Sequence, residues 1–234
     1  MKVAAKPVST NQQGNHDDLA EVVLRHLRSP FQKPLQAHNR EAFEQVQTQV
    51  EQWSGPLILD ACCGVGESTA ALAEQHPEAL VIGVDKSSHR LARHASYQTA
   101  DAGQRYLLVR ADLNDFWRLA VAAQWQLQKH TILYPNPWPK ASHFRRRWHG
   151  SPIWPYILAL GGELEMRSNW SIYLTEVAAA LALTDCQASL QPLLSQHQPM
   201  TPFERKYQQS GQQLWQLKAK LADDGGFLAA VNCE

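Results

Sequence analysis

The sequence predicts an α/β fold of the doubly wound kind, with a mainly parallel seven-stranded sheet closed by a C-terminal antiparallel hairpin. Three observations carry this. Short apolar runs recur, and several end in a carboxylate or a glycine turn. Stretches of helical periodicity separate them, as the crossover between parallel strands requires. The last two strand-like segments lack a long helix between them, so an antiparallel pairing is their simplest connection.

Residues 1–16 show no apolar periodicity and read as a flexible arm ahead of a single domain over 17–234, whose first part, 17–54, is helical. Asp17 or Asp18 can cap a helix with Leu19, Val22, Val23 and Leu27 on its apolar face, and Asn39 a second with Phe43, Val46, Val50 and Trp53. The first strand is Leu57–Cys62, followed by a helix from Glu67 to His76. The second is Leu80–Asp85, followed by a helix from Ser87 to Ala100. Strands at Tyr106–Val109 and Thr131–Tyr134 flank a helix over Asp115–Gln128. Then come a helix at Ile153–Leu160, a strand at Glu163–Arg167 and a helix at Trp170–Leu183. Ser189–Leu194 and Leu214–Leu221 form the closing hairpin.

Composition narrows the function. Lys and Arg total 22 and Asp and Glu total 22, so the formal charge is zero and a uniformly basic nucleic-acid coat is excluded. The longest uninterrupted apolar run, Val177–Leu183, has seven residues, whereas a membrane-spanning helix needs about 20. Residues 1–15 lack the apolar core of a secretory signal. Cys62, Cys63, Cys186 and Cys233 form neither a zinc pattern nor a disulfide framework. A soluble cytoplasmic protein is expected, monomer or homodimer, with no metal.

In a doubly wound sheet the ligand lies at the carboxyl ends of the strands. Asp60, Asp85 and Asp112 stand where three successive strands end, and Gly64 and Gly66 make a turn that lets backbone approach a ligand. Asp85, 19 residues beyond Gly66, suits the hydroxyls of a ribose. Thr69 occupies the place of the third glycine of a dinucleotide fingerprint, and Asp60 would set a carboxylate against a pyrophosphate. S-adenosyl-L-methionine has no phosphate and carries an ammonium, so it is the cofactor these residues favour. The competing account is an ordinary tight turn with acids as helix caps. Cys62 and Cys63 read as small buried residues, not reactive thiols.

Tyr134–Lys140 carries prolines at alternate positions, which fix its backbone and leave Asn136 beside Trp138 at a strand end. A preorganised amide there can grip a flat base close to the cofactor's methyl group, so Asn136 is the candidate catalytic residue. From Phe116 to Gly162 there is no acid, while Arg118, Lys129, Lys140, Arg145, Arg146 and Arg147 sum to +6. Basic residues interleaved with Phe144, Trp148, His143 and His149 suit phosphate contacts and stacking, which points to RNA as the partner.

At these residues the chain resembles the bacterial tRNA (guanine-N7-)-methyltransferases, class I S-adenosylmethionine-dependent enzymes of Rossmann-like fold. The resemblance runs from about Ser29 to Lys218. It is carried by P-N-P-W-P-K at Pro135–Lys140 with the following R-R-R, S-N-W at Ser168–Trp170, and T-P-F-E at Thr201–Glu204 with Gly211 and Trp215 downstream. It implies N7-methylguanosine formation in the tRNA variable loop. It also implies cofactor contacts at Asp60, Asp85 and Asp112, and substrate contacts at Lys140, Asn169, Thr201, Pro202, Phe203 and Glu204. The chain departs from the family in having Asn136 and Asn169 in place of aspartates, Cys62 in place of a glycine and Asp60 in place of a glutamate. Two other readings follow from the residues. Asn136-Pro137 partly matches the loop of amino-group (adenine N6-type) methyltransferases, although Trp138 comes one position early. The two asparagines also suit a cofactor-retaining RNA-binding protein with weak or no activity.

Overall fold

The structure, a computed structural model, describes residues 4–96, 105–194 and 197–222. Seven strands form one sheet: β1 (Leu57–Ala61), β2 (Leu80–Asp85), β3 (Tyr106–Arg110), β4 (Lys129–Leu133), β5 (Gly162–Ser168), β6 (Ala188–Pro192) and β7 (Trp215–Leu221). Their order is β3-β2-β1-β4-β5-β7-β6. The first five run parallel, and β7 pairs antiparallel with both β5 and β6. Every residue of β1 and β2 is buried, because helices cover both faces and leave such strands no solvent side.

The helices are α1 (Leu19–Leu27), α2 (Ala37–Glu51), α3 (Glu67–Gln75), α4 (Ser88–Leu91), α5 (Leu113–Ala122), α6 (Trp154–Ala159), α7 (Ser171–Ala182) and α8 (Pro202–Gln209). Leu19, Val22 and Val23 of α1 are buried as the periodicity predicts. Strand order reverses between β1 and β4, so the loops after those strands flank the switch point where ligands bind in such folds.

Several boundaries differ from the sequence reading. Asn39 does not cap α2, which starts after Gln36. Its amide is drawn into the core instead, donating to Asp115 Oδ2 at 2.7 Å and accepting from Asp112 N at 3.0 Å. Ser87 does cap a helix, but α4 lasts only to Leu91 before a short 3-10 turn at His94–Ser96. There His94 turns inward, bridging Val65 O at 2.9 Å and Tyr106 Oη at 2.7 Å. The rest of that predicted helix, beyond Ser96, lies outside the described residues. The helix expected over Asp115–Gln128 begins earlier, at Leu113, and ends at Ala122, because Gln124 takes φ 57°. Residues 4–16 have no regular secondary structure, yet they are bonded to the body: Ala5 N donates to Ser210 Oγ at 2.8 Å, and Gln212 Nε2 to Ala5 O at 2.8 Å.

Candidate functional site

Three short loops meet at the carboxyl end of the sheet around the switch point. The first, after β1, makes its turn with Cys62, Gly64 and Gly66 at φ 63°, 63° and 77°. Glycine adopts this region freely, whereas a cysteine pays about 1–2 kcal/mol. At Gly66 a side chain would also collide with His94 Nδ1 at 2.7 Å. At Gly64 an added Cβ would meet only Cys62 O at 4.0 Å, so this backbone faces open space and can take a ligand at close range. Burial, with the Asp85 and Asp60 charges, pushes the Cys62 thiol up to about 12, so neither it nor its buried neighbour Cys63 is a nucleophile.

The three strand-end acids have three different environments. Asp60 is fully buried and saturated: Ser68 Oγ and Thr69 Oγ1 donate to Oδ2 at 2.6 and 2.7 Å, and Thr131 Oγ1 to Oδ1 at 2.9 Å. Burial raises its carboxyl above the usual range, against the pull of those hydroxyls. Asp60, expected to contact the cofactor, makes these bonds within the protein. It ties β1 to α3 and β4 beneath the turn, because the small hydroxyls of Ser68 and Thr69 sit one helical turn from Gly66. Asp85 holds the turn from the other side, accepting from Gly64 N at 3.1 Å and Ser87 N at 2.8 Å, and it also meets Arg90 Nη1 at 3.2 Å. Asp112 caps α5 through Asn114 N at 2.9 Å, and Asn39 holds its own amide.

The loop after β4 turns sharply. Tyr134 and Trp138 lie at φ 51° and 45°. Asn136 and Lys140 are exposed, and Asn136 Oδ1 accepts from Trp138 N at 3.4 Å. The R-R-R run is not one feature. Arg145 and Arg146 are exposed, and Arg146 lies over the Trp138 ring at 4.8 Å. Arg147 is wholly buried. It pairs with Glu176, reaches Trp138 O with Nη2 at 3.0 Å, and lies 4.8 Å from the Trp170 ring. Expected to contact the substrate, it has no exposed surface in this structure. Burial alone would raise the Glu176 carboxyl, but His149 and Arg147 reverse this and hold it at about 2.

At the third loop, Asn169 Nδ2 donates to Gln212 Oε1 at 2.9 Å. In T-P-F-E, Thr201 Oγ1 accepts from Glu204 N at 3.0 Å, with Pro202 at the first helical position, which is how a helix start is satisfied. Glu204, expected to contact the substrate, is fully buried, accepting from Met200 N at 3.0 Å and from Arg167 Nη1 at 2.9 Å. Of the four, Phe203 alone is well exposed, at 48%. It stacks on Tyr207 at 6.3 Å, and Tyr207 meets Tyr134 at 5.6 Å, so α8 joins the β4 loop. Arg205 pairs with Glu67 at the start of α3. Among the described residues no group of His, Cys, Asp and Glu is arranged to hold a metal ion, and no helix is long and apolar enough to cross a membrane.

Sequence reasoning missed Gln12, Arg90, His94, Arg167 and Glu176 and read Asn39 only as a cap. Each works through a partner far away in sequence or, for Arg90, one turn along from Asp85, and each is of a residue type common on surfaces.

A family model described as "Putative methyltransferase" matches residues 54–217. Relatives named tRNA (guanine-N(7)-)-methyltransferase include one from Treponema pallidum, 28% identical over 165 residues, which are 69% of this chain and 66% of the relative. One from Leifsonia xyli is 25% identical over 70% of this chain and 76% of the relative, and one from Pasteurella multocida 24% over 83% and 73%. The match to the first of these spans just under two thirds of that relative's length. Among solved structures, an antibiotic-related methyltransferase superposes with a TM-score of 0.57 at 13% identity, covering 77% of this chain and 94% of its own. The 16S rRNA (adenine(1408)-N(1))-methyltransferase of Catenulisporales acidiphilia, solved with its cosubstrate S-adenosylmethionine, gives 0.53 at 16% identity over 76% and 91%. These likenesses identify the fold as that of the class I S-adenosylmethionine-dependent methyltransferases. With the family model spanning the sheet from β1 into β7, the chain belongs to this methyltransferase family.

Proposed function

We propose that this protein is an S-adenosylmethionine-dependent tRNA (guanine-N7-)-methyltransferase. The observation that carries the reading is the meeting, at the switch point, of an open glycine turn with a proline-fixed loop presenting Asn136, Lys140, Arg145 and Arg146 to solvent. The names of the relatives and the motifs they share support tRNA as substrate.

The residues fit the cofactor. The backbone at Gly64 leaves room for it, with Gly66 completing the turn, Asp85 lies at the end of β2 for the ribose, and Asp112 lies just after β3 for the base. When bound, S-adenosylmethionine supplies a methyl group on a sulfonium. Guanine N7 is a neutral lone pair, so the protein need not remove a proton, and positioning dominates the rate. Asn136, exposed on its loop, accepts from a guanine N–H in this reading. Lys140, Arg145 and Arg146 contact phosphates, and Phe203, exposed on α8, offers a face for a base. Catalysis at Asn136 needs no charge on that residue, only an acceptor oxygen held at the right place.

The test is incubation with radiolabelled cofactor and unmodified tRNA, followed by mass analysis of the nucleosides. N7-methylguanosine is expected. N6-methyladenosine, or no labelled nucleoside, overturns the reading. Binding should weaken steeply with salt, and reversing Arg145 and Arg146 together should flatten that dependence by about two counterions.

A further inference from the structure

The loop from Asn136 to Lys140 has little to hold it from within. Pro137 and Pro139 donate no backbone hydrogen bond, and Trp138 stands in the left-handed region at φ 45°. Its carbonyls are instead held one after another from outside. Trp138 O accepts from Arg147 Nε at 3.3 Å and Nη2 at 3.0 Å. Pro139 O accepts from Thr10 Oγ1 at 2.6 Å. Lys140 O accepts from Arg147 Nη2 at 3.4 Å, and the next amide, Ala141 N, donates to Asn11 Oδ1 at 3.1 Å. Buried Arg147 and the start of the chain thus alternate along one strip of backbone.

Gln12 joins these two supports. Its amide oxygen accepts from Arg147 Nη2 at 3.0 Å, and its amide nitrogen donates to Glu176 Oε1. Only a group with both an acceptor and a donor can span a guanidinium and a carboxylate this way. A glutamate there would face Glu176 with like charge, and a lysine would face Arg147. The rest of the setting fixes the pair in one orientation. His16 N donates to Glu176 Oε1 at 2.9 Å, His149 Nε2 lies 3.0 Å from Oε2, and the His16 ring stacks on Phe144 at 4.5 Å. Neither Arg147 nor Glu176 has any exposed surface.

We infer that the segment from Thr10 to His16 is a working part of the site: through Gln12 and Arg147 it positions the loop that carries Asn136 and Lys140, which is complete only with the arm docked. Gln12 and Arg147 are positioning residues. They act through the carbonyls of Trp138 and Lys140, and the proposal rests on the reading of that loop as the reaction site.

The experiment compares the full-length protein with Gln12→Glu, a Thr10→Ala/Asn11→Ala double variant and Arg147→Lys. Single-turnover methyl transfer to tRNA should slow about 10- to 100-fold, the effect of an ångström of misplacement, while cofactor affinity by calorimetry stays unchanged. Hydrogen exchange at the Ala141 amide should accelerate in the arm variants, with the amides of β1 and β2 unaffected. Wild-type transfer rates per cofactor-bound molecule, together with unchanged exchange at Ala141, overturn the inference. So does a parallel loss of cofactor binding and cooperative melting, which marks these residues as general support for the fold. Should Arg147→Lys fail to fold, the Thr10→Ala/Asn11→Ala variant, whose side chains lie at the surface, decides the matter. Should the wild type transfer no methyl group, the reaction assigned above fails, and exchange at Ala141 alone then sustains or sinks the docked arm.

Discussion

Asn136 makes its one hydrogen bond within the loop through its oxygen, to Trp138 N at 3.4 Å. An aspartate can make the same bond, so Asn136→Asp should leave the loop in place. A carboxylate accepts from guanine N1 and N2 together and offsets the cation formed at N7. A charged hydrogen bond exceeds a neutral one by roughly 1–2 kcal/mol, so transfer to tRNA guanosine should rise about tenfold in single-turnover assays. A slower variant removes Asn136 from the contact with the base. A second residue-level outcome concerns Asp85. Its Oδ2 is shared by Gly64 N and Arg90 Nη1, and the Arg90 side chain is half exposed. In the proposed binding mode the ribose hydroxyls displace that guanidinium, so Arg90→Ala should tighten S-adenosylmethionine binding by about fivefold, the worth of one such bond near the surface. Asp85→Ala should weaken it, and calorimetry reads both. Exposure could be read from sequence where the backbone forces the side chain outward, as at Asn136, Lys140 and Arg146, all of which lie at the surface. The burial of Arg147 could not, since nothing in three consecutive arginines says which one turns toward Glu176 and Gln12.

At the scale of elements, α8 shows how one motif can carry two jobs. Thr201 caps the helix, Glu204 anchors it to Arg167 on β5, and Phe203 between them faces outward. Thr201→Ala should cost about 1 kcal/mol, the ordinary worth of a cap. Glu204→Gln leaves Arg167 short of a buried partner and should cost about 3 kcal/mol. Urea unfolding measures both. If Glu204→Gln unfolds like the wild type while methyl transfer disappears, Glu204 acts on the substrate and its structural assignment is wrong. The strands were legible because a run such as Leu57–Cys62 has no other stable home than a covered sheet. Helix ends were less so. Asn39 has the chemistry of a cap but found Asp115, and Gln124 ended α5 by a backbone turn that no local pattern announces.

Across the molecule, buried titratable groups shape the response to pH. Burial drops His130 to about 3, so it stays neutral in the fold, and lowers His149 against the pull of Glu176. In the unfolded chain both bind protons below about pH 6.5, so stability falls as pH drops through that value, by about 1.4 kcal/mol per unit for His130. Glu165 and Glu176, each held at about 2 by neighbouring cations against the effect of burial, contribute stability above the ordinary carboxylate range that is lost as pH falls from there toward 2. Melting temperature should therefore be level near neutrality and decline in two stages on acidification. His130→Gln, which keeps an acceptor for Trp117 Nε1, should soften the first stage. A melting temperature that rises between pH 6.5 and 5 contradicts this account. The overall sheet was readable from the alternation of apolar runs and helices. The docking of residues 4–16 was not, because its contacts with Pro139, Glu176 and Ser210 are made by Thr10, Gln12 and a bare amide, none of which has a periodic signature.

The place of β7 sets an order on how the molecule can be made. This strand is later in the chain than β6 but lies inside the sheet, between β5 and β6. A ribosome therefore delivers β6 before anything exists for it to pair with. Between Pro192 and Trp215 lie 22 residues, which at about 5–20 residues per second leaves β6 and the open edge of β5 waiting roughly one to four seconds. The five parallel strands can close around β1 during that interval, whereas the final edge of the sheet forms all at once, when Trp215–Leu221 slides into the gap.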